Sequence, residues 1–348
     1  MNREDEKTTL QEPESFYVDE FRPEDAEGIA SLFKAVYGEG YPIRLFYDPE
    51  AIIAANKDGR YISVVARTDS GKVIGVSHLY PSAPCRGLYE TGVGLVLKEY
   101  RKAGANREML KYLYEKFTPE HRHIEELFGE PVCNHVVMQK AVAALGFKEA
   151  AIEIALMPAE AYTAEKSATG RVASLDVFRS YVPKPHRIFV PLVYEELLKR
   201  IYARLDDQRD IVAADGVLPE NVPTQTKISI FDYARVARIA VAQAGGNFGD
   251  ILSRLENEAR AKNAVVFQVW LNLTEPWVGK AVEILRQRGY FFGGAFPRWF
   301  DGDGLLLQKL ECPPDFENIV LFSDFSKELL KFIRKDRERT VTRRFASL

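Results

Sequence analysis

The sequence offers no cysteine framework. Its 348 residues hold three cysteines, Cys85, Cys133 and Cys312, odd in number and far apart. That excludes a disulfide scaffold and any paired zinc-ligand spacing, and it fits a reducing cytoplasm. Long apolar runs are missing as well. None reaches the roughly 18 residues expected of a membrane-spanning helix. Nor is there an excess of one charge: 47 Lys and Arg stand against 50 Asp and Glu, a net charge of -3. That balance argues against a dedicated nucleic-acid binder. The opening "MNREDEKTTLQEPES" lacks the basic start and apolar centre of a secretion signal. Residues 1–15 are expected to be disordered.

What is present is material for two cores. The length suits two domains, and 21 Phe and 16 Tyr supply large apolar side chains. "FYVDEFRPEDAEGIASLFKAVYG" reads as a short strand and then a helix that buries Ile29, Ala30, Phe33, Val36 and Tyr37. "RYISVVART" and "KVIGVSHLYP" read as strands joined by "DSGK", and "LYETGVGLVL" as a third. A glycine turn at Gly104 leads to a helix with Met109, Leu110, Leu113, Tyr114 and Phe117 on its inner face. "HIEELFGEPV" reads as a strand and "NHVVMQKAVAAL" as a helix with Asn134 at its N-cap. Gly146 closes that helix before the strand "FKEAAIEIALMP".

Residues 158–190 read as a mixed connector, and "PLVYEELLKRIYARL" as an amphipathic helix with Pro191 suited to its first turn. Beyond it, "KISIFD" and "ARVARIAVAQ" are strands. The helix "NFGDILSRLENEARAKN", the strand "AVVFQVWLNL", the helix "EPWVGKAVEILRQRG" and the strands "YFFGGAF" and "GLLLQKL" follow. The two halves thus repeat one order: strand, glycine turn, helix, strand, helix, glycine, strand. Gly104 to Gly146 and Gly246 to Gly289 are nearly equal intervals, which points to two copies of one fold. The plainer alternative is that any α/β chain alternates in this way.

"VGLVLKEYRKAGANREMLKYL" resembles the signature of the GNAT acyltransferase superfamily: a strand, Arg/Gln-x-x-Gly-x-Gly/Ala, then a helix. Arg101, Lys102, Ala103, Gly104, Ala105 and Asn106 supply it here. "NHVVMQKAVAALGF" resembles the second signature, an Asn-headed helix ending in Gly-Phe. "VWLNLTEPWVGKAVEILRQRGYFFGG" resembles that second signature alone. The resemblance implies an α/β fold, strictly α+β: two tandem acyl-CoA N-acyltransferase-type domains, each a mixed, mostly antiparallel sheet flanked by helices. The expected boundaries are 16–160 for an acyl-CoA-binding domain and 161–190 for a connector. A degenerate copy would follow at 191–323 and a basic tail at 324–348.

The first signature also has a physical account of its own. Backbone N–H groups at a helix start point outward, the helix dipole adds partial positive charge, and a glycine lets a diphosphate approach. Asn106 departs from the family's Gly or Ala; its amide either crowds a phosphate or donates to it. By resemblance the cosubstrate is acetyl-CoA or another acyl-CoA. Backbone groups of Leu95 and Leu97 would pair with its pantetheine arm, and Asn134 and Gln139 would line the same site. The acceptor would be a small-molecule or protein amine. No nucleic acid and no membrane is expected, and a homodimer stays open.

The family's usual acid, a Tyr four residues before the Gly of the second signature, is absent: Val142 and Leu285 hold the two positions. Glu90 and His78 are therefore the candidate catalytic groups. A solvated strand end competes for Glu90, and a satisfied structural histidine for His78. Capping or substrate contact compete for His135, and Cys133 reads as a small buried hydrophobe rather than a nucleophile. "PRWFDGDG" reads as a hairpin turn, with an acceptor-site loop as the alternative. "KFIRKDRERTVTRR" reads as a solvated helix, with contact to an acidic partner or to the 3'-phosphate of coenzyme A as the alternative. The competing class is a non-catalytic acyl-CoA sensor or interaction module.

Overall fold

The computed structural model describes residues 14–162 and 170–346. Of the stretch 1–15 expected to be disordered, only Glu14 and Ser15 fall among them. The chain forms two compact units. The first takes the residues up to Tyr80 and Gly92–Glu120; the second takes Pro81–Thr91 and the residues from His121 onward.

In the first unit, β1 (Phe16–Glu20), β2 (Ile62–Thr68), β3 (Val73–Tyr80) and the latter part of β4 (Leu88–Val96) lie in that order. α1 (Ala26–Tyr37) buries Ile29, Ala30, Leu32 and Phe33 against Phe46, Val65 and Val76. Tyr37, expected on the same face, is exposed. α2 (Pro49–Lys57) follows a start that the sequence carries as "YDPE". The Asp48 carboxylate accepts from the Glu50 and Ala51 N–H groups at 3.0 and 3.3 Å, with Pro49 in the first turn. α3 (Ala105–Lys111) continues through a π-helical segment, Tyr112–Phe117, into a last turn, α4 (Thr118–Glu120). The five residues expected on its inner face, Met109 to Phe117, are all buried.

The second unit is one sheet in the order β4-β5-β7-β6-β13-β14-β12-β11-β10, plus a parallel pair, β8 with β9. Its elements are β5 (Glu126–Gly129), α5 (Val137–Ala144), β6 (Lys148–Pro158), β7 (Arg171–Ser180), β8 (His186–Val190), α6 (Glu195–Tyr202) and β9 (Arg209–Ala213). β10 (Gln225–Phe231), β11 (Val236–Gln243), α7 (Phe248–Ala261), β12 (Val266–Asn272), α8 (Val278–Gln287), β13 (Phe291–Phe296), β14 (Gly304–Leu310) and α9 (Asp324–Ala346) complete it. β4 with β5 and β11 with β12 are parallel; the other pairs in this sheet are antiparallel. The stretch 161–190, expected as a connector, contains β7 and β8, and its residues 163–169 lie outside the described ones. β7 enters the sheet between β5 and β6 and is buried along most of its length, so it is core rather than link.

The join between β6 and β13 depends on glycine. A Cβ on Gly294, whose φ is +147°, would sit 2.3 Å from Ala151, and one on Gly293 would sit 2.5 Å from Leu306. Gln308 of β14 reaches the β6 backbone, donating to the Ile152 carbonyl at 2.9 Å and accepting from the Ile154 N–H at 2.8 Å.

Two charged segments carry buried groups. α9 is the helix expected, solvated on one face at Lys331, Arg334, Lys335 and Arg339, but its other face is covered: Leu329 and Ile333 are buried, and its Asp336 carboxylate accepts from Tyr194 Oη at 2.8 Å, from the Phe292 N–H at 2.9 Å and from Arg286. "PRWFDGDG" is the hairpin turn expected, joining antiparallel β13 and β14, but it is buried along most of its length rather than forming a surface loop. Buried Arg298, at φ +53°, pairs with Asp207 and Glu126, and Asp303 accepts from Arg209 Nε at 2.8 Å with His186 Nε2 3.1 Å away. Burial alone would raise the Asp303 carboxyl. The Arg209 charge and the bonds from His186 and Arg209 hold it well below the usual range. Among the described residues no helix is long and apolar enough to cross a membrane.

Candidate functional site

In the first unit, β4 ends at Val96, one 3-10 turn (Lys98–Tyr100) follows, and Gly104 starts α3 in the left-handed conformation, φ +87° and ψ +8°. A side chain there would be strained by that backbone, yet a Cβ would meet no atom within 4 Å. The glycine is thus required by conformation and opens onto free space at a helix start. N–H groups of a first helical turn have no acceptor inside the helix, so the place suits an anion. Ala103 is exposed and Ala105 buried, and Asn106 is half-buried beside the opening. Lys102 is exposed; Arg101, also exposed, folds back so that its Nε donates to the Val96 carbonyl at 3.1 Å.

The strand before the turn differs from the expectation. The Leu97 N–H donates to the Ile74 carbonyl of β3 at 2.9 Å, so it is not free for a pantetheine arm. Strand alternation turns the backbone groups of Leu95 the same way and leaves those of Gly94 and Val96 on the opposite edge. Val93 sits at φ +52°, a costly place for a β-branched residue, and marks a local distortion of β4. No motif announced it; two glycines flanking a valine, "TGVGL", were the available signal.

His78 of β3 is fully buried. Its Nδ1 shares a 2.8 Å hydrogen bond with Ser63 Oγ, and Phe46 and Tyr61 pack on its ring. Burial pushes its pKa down to about 3, so it is a weak base with no route to solvent. Among the described residues its buried Nε2 has no hydrogen-bond partner, so it fits a structural histidine satisfied at Nδ1 alone better than a catalytic one.

In the second unit, Asn134 does not cap α5. It lies in a turn, and the helix begins at Val137 with Val136 before it. Gln139 does not line an open cleft. Its amide nitrogen donates to the carbonyls of Val132, His135 and Val320 at 3.2, 3.1 and 2.9 Å, and its oxygen accepts from the Phe322 N–H at 2.9 Å. Cys133 is buried, and burial with the nearby Asp176 charge pushes its thiol far up, which makes it inert. Val142 and Leu285 are core residues.

Glu90 of β4 is half-buried and belongs to a row of acids that sequence reading missed. Glu130 follows β5, Glu153 lies in β6 and Asp176 in β7. Arg238 of β11 reaches Glu153 at 2.9 Å, Glu130 at 3.4 Å and Gln268 Oε1 at 3.0 Å. Burial pushes Glu153 up to about 7 against the pull of Arg238. Burial, followed by the charges of Glu153 and Glu130, raises Asp176 well above a normal carboxyl. A lone acid inside an otherwise apolar run, in "AAIEIALMP" and "VASLDVF", was the available signal.

The second glycine turn is filled by the chain itself. A Cβ on Gly245 would lie 1.7 Å from the Val222 carbonyl oxygen. The Gly246 N–H donates to the Pro219 carbonyl at 3.0 Å and the Gly245 N–H to Thr224 Oγ1 at 2.9 Å. The start of α7 is therefore occupied where the start of α3 is open.

No family model matches the chain, and no curated protein sequence matches it. Solved structures do resemble it over about half its length. Ribosomal-protein-S5-alanine acetyltransferase from Vibrio fischeri is 16% identical over 49% of this chain and 95% of its own, with a TM-score of 0.39. Ribosomal-protein-alanine N-acetyltransferase from Brucella melitensis is 18% identical over 47% and 99%, with a TM-score of 0.38. A GNAT superfamily phosphinothricin acetyltransferase from Sinorhizobium meliloti, solved with AcCoA, is 17% identical over 48% and 89%, with a TM-score of 0.37.

Proposed function

We propose that the protein is an acyl-CoA-dependent N-acyltransferase, using acetyl-CoA to acylate an amine by direct transfer. The observation that carries the reading is the Gly104 turn: a left-handed glycine at a helix start, open to solvent and beside exposed Lys102. The acyl-CoA, when bound, supplies an activated acyl thioester. Outward N–H groups of residues 104–106 and the Lys102 charge hold its diphosphate. Backbone groups of Gly94 and the Val96 N–H take the role expected of Leu95 and Leu97, the Val96 carbonyl already accepting from Arg101. Glu90 takes the proton of the attacking amine, because it is half-buried where His78 is fully enclosed and weakly basic.

We further propose two copies of one fold. In support, β4-β5-β7-β6 and β11-β12-β14-β13 repeat one order, each opening on a parallel pair. The first copy extends to Ser180, since β7 completes its pattern. Only it binds coenzyme A, because segment 219–224 fills the second turn.

The test is thiol release from acetyl-CoA with a panel of amines across pH. Turnover should fall by about 10²–10⁴-fold in Glu90→Gln, which keeps the size and removes the base. An unchanged rate would remove Glu90 from the mechanism. The buried apolar side chains at Val142 and Leu285 favour a second reading, an acyl-CoA sensor. Tight binding with no turnover for any amine would select it.

A further inference from the structure

We propose that Glu130, Glu153 and Asp176 form a binding site for one divalent cation that prefers oxygen ligands, such as Mg²⁺, Ca²⁺ or Mn²⁺. One carboxylate oxygen from each lies within 4.8 Å of the others. A cation about 2.0–2.6 Å from each oxygen can span that spacing. Acids gather on many protein surfaces without an ion; Asp176 sets this group apart. It is fully buried, and among the described residues neither of its carboxylate oxygens has a hydrogen-bond partner. Glu153 is equally buried, and its Oε1 has no partner either. Buried carboxylates are normally paired, so these oxygens call for a proton or a cation.

The charges fit the second. Arg238 directs its bonds to Glu153, Glu130 and Gln268, not to Asp176. When all three carboxylates are ionised, one guanidinium against them leaves two negative charges, the complement of a divalent cation, so ion uptake releases the protons that otherwise neutralise the cluster. Glu90 adds further negative potential at Asp176. The Glu130 side chain is 19% exposed, which gives an ion a way in from solvent. Glu153 and Asp176 stand on neighbouring antiparallel strands, so their backbone positions are fixed before any ion arrives.

Manganese paramagnetic resonance on the full chain tests this directly, because bound Mn²⁺ loses its free-ion signal. Uptake of one Mn²⁺ per chain is expected, with a Kd in roughly the 10⁻⁵–10⁻³ M range and displacement by Mg²⁺ or Ca²⁺. Asp176→Asn and Glu153→Gln should each weaken it by about tenfold or more. Asp58→Asn, at an exposed acid in the first unit, should change nothing. No uptake by the wild-type protein at about 1 mM Mn²⁺ would mean that protons alone neutralise the cluster and would overturn the site, whether or not the variants fold. Wild-type affinity in folded Asp176→Asn and Glu153→Gln would overturn it as well.

Discussion

Gln139 illustrates how a side chain read as a ligand contact turns out to be a brace. Its bonds go to backbone groups, and they tie the turn before α5 to residues 320–322. Gln139→Leu should cost about 1–3 kcal/mol in denaturant unfolding, through the buried polar groups it leaves unmatched. Coenzyme A affinity should not change; a large loss of affinity with unchanged stability would restore the ligand role. Asp303 makes a different prediction, about pH. Its folded pKa lies below the unfolded value of about 3.9, so its stabilisation is present above that value and is lost as pH falls. His186 is raised, its burial being outweighed by the Asp303 bond and charge, so its contribution is present below about pH 6.5 and is lost as pH rises through its folded value. Asp303→Asn breaks both pairings and leaves buried Arg209 with only the more distant Asp207 carboxylate, 4.0 Å away, as an ion-pair partner. It should cost about 3–5 kcal/mol near neutrality and flatten the loss of stability below pH 4 that acid titration of the wild-type protein should show. Equal acid profiles for the two proteins would contradict that assignment.

At the scale of elements, the strands and helices with strong periodicity were legible. α1 carries Ile29, Ala30 and Phe33 inward, and the helical run from Ala105 buries every residue expected of it. α2, β7, β8 and β9 were not legible, and α9 was legible as a helix but not in its buried face. α2 is short and announced only by an Asp-Pro start. β7 carries Asp176 at its centre and sits between polar flanks, which hides a buried strand among loop-like residues. α9 is rich in charge, and the burial of its inner face depends on Leu329, Ile333 and a single acid, Asp336, whose partners are far away in sequence. In the candidate site, the glycine turn was legible because its geometry is local. The edge pairing of Leu97 and the row of acids were not, because strand register and long-range contact decide them. β13 offers the sharpest test at this scale. Gly294→Val would force side-chain atoms into Ala151 and should cost at least about 1–3 kcal/mol or prevent folding. Wild-type stability in that variant would contradict the close approach of β13 to β6.

At the scale of the whole molecule, two similar strand orders have met different fates. The turn before α3 is open, and the turn before α7 is closed by segment 219–224 of the same chain. Near-equal glycine intervals are the sequence signal for the duplication we propose. The closure was not, since nothing in "LPENVPT" says which turn it covers. The asymmetry yields a count. Isothermal titration of acetyl-CoA into the full chain tests the open cradle most directly, alongside Lys102→Glu, which reverses a charge without straining the backbone. One binding event per chain is expected, weakened by at least about tenfold in Lys102→Glu as the attraction for the diphosphate becomes repulsion. No binding by the wild-type protein, two equal sites per chain, or the same affinity in Lys102→Glu would contradict a single coenzyme A site at the Gly104 turn.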